Sequence, residues 1–267
     1  MAWALTAFIT DREGLLAMRR QSTGRTWRYG AALGLLVLGS WALGQAGEDP
    51  NAITLSAEAI VNKMQGANLL RAEALHSYTG RRLYKVDYRG FAGSRHAEMV
   101  VEVAYSSPDR KEFTVVSQSG SKLLLNRVLF RLLESEKEAL QEANRQRTAL
   151  SPQNYSFTLL NTDRTPTRKF FVLQVEPKVN NKFLYHGKIW VDAEDFAVMQ
   201  IEGEPAKNPS WWISHTHIKH DYSKVGEFWL PAHNQSLTQV RLGGEAVLDI
   251  EYTDYEINKA KVSVPSQ

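Results

Sequence analysis

The densest set of metal-ligating side chains in this 267-residue chain lies in WWISHTHIKHDY, residues 211–222. It holds His215, His217 and His220 with Asp221, and imidazole with carboxylate is an ordinary ligand set for zinc. Side chains alternate along a strand, so His215 and His217 share a face with Lys219 and Asp221, while His220 joins Ile218 and Tyr222 on the other. Three histidines do not converge from one straight strand. The pair reads as part of a solvated outer face, and hydrolase or metal chemistry on the His215/His217 strand stays an alternative that stoichiometric bound zinc would favour. The acidic turn Asp192-Glu194-Asp195 lacks the oxygen-ligand spacing of a calcium loop. Trp211 and Trp212 are adjacent and point opposite ways, which suits either strand-end packing or the rim of an apolar pocket.

Other reactive constellations are missing. There is no Gly-x-Ser-x-Gly elbow, phosphate loop or His-Glu-x-x-His. With no cysteine, thiol chemistry and disulfides are excluded. Neither a cofactor nor a metal is expected, and the expected function is binding or carrying rather than catalysis.

The elements that would position such a binding site are mostly strands. In YHGKIWVDAEDFAVMQIEGEP (185–205), Ile189 and Val191 point one way and Trp190 the other. After the acidic turn, Ala197, Met199 and Ile201 share a face. This is a β-hairpin with one apolar and one wetter side. Similar alternation runs through Tyr84–Tyr88, Met99–Tyr105, Phe113–Val115, Tyr155–Leu159 and Phe171–Val175. It returns near 212–222, 227–231, 235–242 and 245–255. Two helices interrupt it. One starts at Ser56, an N-cap type, and runs through Ile60, Val61 and Met64 towards Leu75. The other spans Lys122 to about Thr148, with Leu125, Val128, Leu129, Leu132 and Leu133 on one stripe. The fold class is α+β, mainly β: a curved antiparallel sheet of about eleven strands, an unclosed half-barrel covered by two main helices. A sheet of that width must curl or split.

Charge sets further bounds. The net charge of +3 sits entirely in residues 1–46, where five arginines face Asp11 and Glu13. Residues 47–267 sum to zero, so nucleic acid is not an expected partner. The leader has a basic region (Arg19–Arg28), an apolar run (Ala31–Leu43) too short to span a bilayer, and a small-residue site, Gly44-Gln45-Ala46. Residues 1–46 read as an export signal cleaved after Ala46 rather than kept as an anchor. Met18 is an alternative start, with 1–17 an extension. Residues 47–53 form a linker, 54–257 a single domain and 258–267 a tail. The expected location is the periplasm and the expected state a monomer.

An export signal, an opening helix, a long antiparallel series, a mid-chain helix and GKIWVDAEDFAVMQIEGEP together resemble the Lol-type periplasmic carriers of outer-membrane lipoproteins. YSKVGEFWLPAHNQS and LDIEYTDYEIN (in 222–236 and 248–258) add to the likeness. The resemblance covers roughly 54–257 and implies an unclosed barrel with a helical lid around a cavity for acyl chains. Its implied partners are lipid or acylated lipoprotein, with an inner- or outer-membrane partner protein. A regulatory module binding a partner such as an anti-sigma factor uses the same architecture, and a dry, filled interior would favour it. The residues expected to line the cavity are Val128, Leu129, Leu132, Leu133, Ile189, Val191, Met199, Ile201, Trp211 and Trp212.

Overall fold

The computed structural model describes residues 55–91, 93–140, 146–181, 183–208, 213–241 and 243–259. The leader, its cleavage site and Trp211-Trp212 lie outside these residues. Helix α1 (Ala57–Ala74) begins as expected at Ser56, whose Oγ accepts from the Ala59 amide at 3.2 Å. That bond satisfies one of the first-turn N–H groups, which have no partner inside the helix. The helix buries Ile60, Val61 and Met64. Its second half leaves Leu69 and Leu70 exposed at 62% and 68%.

Ten strands follow: β1 (Leu75–Gly90), β2 (Gly93–Ser106), β3 (Arg110–Gly120), β4 (Tyr155–Arg164), β5 (Lys169–Pro177), β6 (Tyr185–Asp192), β7 (Val198–Pro205), β8 (Ile213–Val225), β9 (Phe228–Val240) and β10 (Gly244–Lys259). They make one antiparallel sheet in the order β3-β2-β1-β10-β9-β8-β7-β6-β5-β4. The edges β3 and β4 do not pair with each other, so the sheet stays open.

Among the described residues there are ten strands rather than eleven, because 227–231 and 235–242 belong to one strand, β9. Pro231 cannot donate to a ladder, but the register slips beside it, between Asp221 and Tyr222 of β8. A bulge of this kind lets a strand carry proline without ending. Ala232 is the residue passed over at this slip, and a second slip lies between Ile213 and His215 of β8.

Between β3 and β4 the chain crosses from one edge of the sheet to the other, and the second helical region makes this crossing. It comprises α2 (Lys122–Leu124), a π-helical turn (Leu125–Leu129) and α3 (Phe130–Ala139). Leu125, Val128, Leu129, Leu132 and Leu133 are all buried, as an apolar stripe predicts. The inward strand residues, among them Val86, Met99, Val101, Leu173, Val175, Ile189, Leu248 and Ile250, are each fully buried as well. Burial of a side chain of this size is worth about 1.5–3 kcal/mol, and this layer is the main core.

Candidate functional site: a cavity between helix ends and sheet

The crossing helix fills one part of the curved sheet and leaves another part open. A cavity of about 590 Å³ lies beneath the second half of α1 and the end of α3. Apolar side chains supply much of its wall: Leu75, Ala139, Val198, Ile201, Phe228 and Leu230. Leu69 of α1 stands at its border and is mostly exposed. The volume falls in the range of about 300–1,000 Å³ common for small-molecule sites.

Of the residues expected to line a cavity, Ile201 does so. Val128, Leu129, Leu132, Leu133, Ile189 and Val191 do not; they lie between helix and sheet with at most 6% exposure. The reason is that the helical stripe packs directly on the strands below it, leaving no gap along that stretch. Met199 is displaced by a bulge. Val191 pairs with Val198 and Trp190 with Gln200, so Met199 is the extra residue on β7. This shift of one position puts Val198, not Met199, on the cavity wall.

One wall of the cavity is ionic. Arg82 of β1 donates to both carboxylate oxygens of Glu136 on α3, at 2.6 and 3.1 Å. Lys111 of β3 donates to the same carboxylate. The two cationic side chains are 5% and 2% exposed and Glu136 15%. Burial opposes the charged carboxylate, but Arg82 and Lys111 hold Glu136 well below the usual carboxylate range. Arg82 also donates to the Tyr84 hydroxyl at 3.0 Å and lies 4.8 Å over the Tyr252 ring. Next to it, Asn234 donates to the Tyr252 hydroxyl at 2.6 Å.

These residues were missed from sequence because 82, 111 and 136 are far apart along the chain. Two signals could have found them. Arg82 interrupts the inward run that continues through Tyr84 and Val86. Glu136 stands three and four residues beyond Leu133 and Leu132, in line with the apolar stripe.

A latch joins α1 to the cavity's opposite border. Arg71 donates to the carbonyl oxygens of Asp195 (2.9 Å) and Phe196 (3.4 Å) in the β6–β7 turn. That turn is rigidly built. Asp192 is buried, and its carboxylate accepts from the amides of Glu194 and Asp195 and from Arg168. Asp195 accepts from Lys224 (2.7 Å) and Trp229 Nε1 (2.9 Å), which draws its pKa down against partial burial. Phe196 takes a positive φ of 50° there. The acidic turn thus spends its carboxylates on its own backbone and on neighbouring cations.

His215 and His217 stand on the outer face, each 3.3 Å from a β7 glutamate, Glu204 and Glu202 respectively. His220 faces inward and is fully buried. Among the described residues no three metal-ligating side chains converge, and no helix is long and apolar enough to cross a membrane.

No protein-family model and no curated protein matches the chain. Solved structures do. An outer membrane lipoprotein-sorting protein domain from Vibrio parahaemolyticus is 12% identical over 79% of this chain and 95% of its own, with a TM-score of 0.43. A LolA superfamily protein from Nitrosomonas europaea is 10% identical over 80% and 99%, TM-score 0.31. MucB of Pseudomonas aeruginosa, solved in complex with MucA, is 10% identical over 74% and 100%, TM-score 0.23. The structures that this chain is similar to thus include LolA-superfamily and lipoprotein-sorting domains, at low identity.

Proposed function

We propose that this protein is an exported periplasmic carrier that holds the acyl chains of a lipid or lipoprotein in the cavity under α1. The observation that carries the reading is the cavity itself, about 590 Å³ with apolar residues from helix and sheet in its wall. An acyl chain gains about 0.8 kcal/mol for each methylene it buries. The leader supports export, and the covering helix supports a lid. The protein works without a cofactor and as a monomer, with an inner- or outer-membrane partner protein.

Binding of a fluorescent fatty acid tests this reading. Val198→Trp puts an indole into the cavity without burying a charge and should reduce binding sharply. Val116→Trp, on the exposed part of β3 at 50% exposure, should leave it unchanged. Equal binding by wild type and both variants would show that the probe does not enter the cavity.

A further inference from the structure

The ionic wall of the cavity is not balanced. Among the described residues, Arg82 and Lys111 share one carboxylate, Glu136, so the buried cluster carries a net charge of +1. Two cations held at 5% and 2% exposure have lost most of their hydration, which one carboxylate offsets only in part. Glu136 takes one of the three N–H groups of Lys111. The Arg82 guanidinium is fixed in place by Glu136, the Tyr84 hydroxyl and the flanking rings of Tyr252 (4.8 Å) and Phe113 (5.6 Å). A pre-set cationic surface therefore adjoins apolar space.

A buried hydroxyl elsewhere on the cavity lining, that of Tyr185 on β6, has no hydrogen-bond partner, and buried polar groups are nearly always satisfied.

We infer that the cavity takes an amphiphile with a single negative charge, its anionic headgroup at Lys111 and Arg82 and its chain along Val198, Ile201 and Leu230. The assignment rests on the carrier reading and narrows it to monoanionic cargo. A monoanion cancels the +1 of the cluster. A neutral headgroup of equal size leaves that charge uncompensated and loses charge-assisted hydrogen bonds, which are about twice as strong as neutral ones.

Titration calorimetry at neutral pH with dodecanoate, dodecanol and methyl dodecanoate tests the assignment on the delipidated full-length mature protein. The three share one chain and differ in the head. Dodecanoate should bind at least about tenfold tighter than either neutral compound. Lys111→Met keeps the buried methylene stem, leaves Arg82 and Glu136 as a neutral pair, and should remove the preference for dodecanoate over dodecanol. Equal affinity of wild type for all three compounds overturns the anionic subsite and leaves the carrier reading standing. Preference retained in a folded Lys111→Met protein overturns this cluster as its source. Binding of none of them overturns the carrier reading, and the subsite with it. The comparison of the three compounds on wild type decides the matter even where the variant does not fold.

Discussion

His220 should make the stability of this protein fall steeply in mild acid. The ring lies on the inward face of β8, fully buried and opposite Asn234 of β9. Burial pushes its pKa down from 6.5 to about 4, because the charged imidazolium is costly away from water. The folded state keeps the ring neutral in a range where the unfolded chain takes up a proton. The stability tied to neutral His220 is therefore complete above pH 6.5 and is lost as pH falls from 6.5 towards about 4. Between about pH 7 and about pH 4.5, linkage gives a loss of roughly 2 kcal/mol from this residue. His220→Leu removes the titration, so it should lose less stability than wild type over this pH range. Urea unfolding of both proteins at the two pH values measures the effect, provided the slope m is unchanged. Carboxylates common to both proteins, Glu136 included, cancel in the comparison. If wild type and variant lose the same stability on acidification, the reasoning is refuted and His220 is accommodated by a partner or by hydration.

Four further outcomes are expected. Arg71→Ala removes two bonds to the β6–β7 turn, each worth about 1 kcal/mol net, and should speed amide exchange in α1 while leaving β6 protected; unchanged exchange would mean the latch is idle. Gly203→Ala places a Cβ 2.2 Å from the His186 carbonyl oxygen and should cost about 1–3 kcal/mol through overpacking, read as a lowered Tm. His215→Gln with His217→Gln should change stability by no more than about 0.5 kcal/mol and release no metal, since both side chains are outward and part-exposed. N-terminal sequencing of the periplasmic protein should begin at Gly47, and a membrane-bound form retaining Ala31–Leu43 would refute cleavage.

Strand alternation was enough to read the curved open sheet, because a half-buried strand writes its two environments into every second residue. The 185–205 hairpin was legible in this way down to its inward Ile189, Val191 and Ile201. Alternation carries no mark of a bulge, however, and the extra residue Met199 shifted one side of the hairpin by one position. The Leu125–Leu133 stripe announced burial but not what it would be buried against. Packing on the strands made it core, and the cavity opened farther along, where α3 ends and α1 leans over. Arg82, Lys111 and Glu136 meet only through the sheet order and the crossing helix, so no spacing in the sequence links them. Their trace was indirect, as charges standing in line with apolar neighbours.

The sheet order has a consequence for biogenesis. β1 pairs with β10 from Leu75↔Lys259 to Gly90↔Gly244, so the first and last strands are bonded inside the sheet rather than at its margin. A chain synthesised N-terminus first can pair β1 with β2 and β2 with β3 early. It cannot join that three-stranded piece to the six strands from β9 to β4 until its final sixteen-residue strand has arrived. Contacts so distant in sequence slow folding, since loop closure comes before the contacts that repay it. Until then the inner strand edges stay unpaired and invite association with other chains. Loss of the last strand would leave two separate sheets and no common concave face, so the cavity exists only in a chain that has been delivered whole.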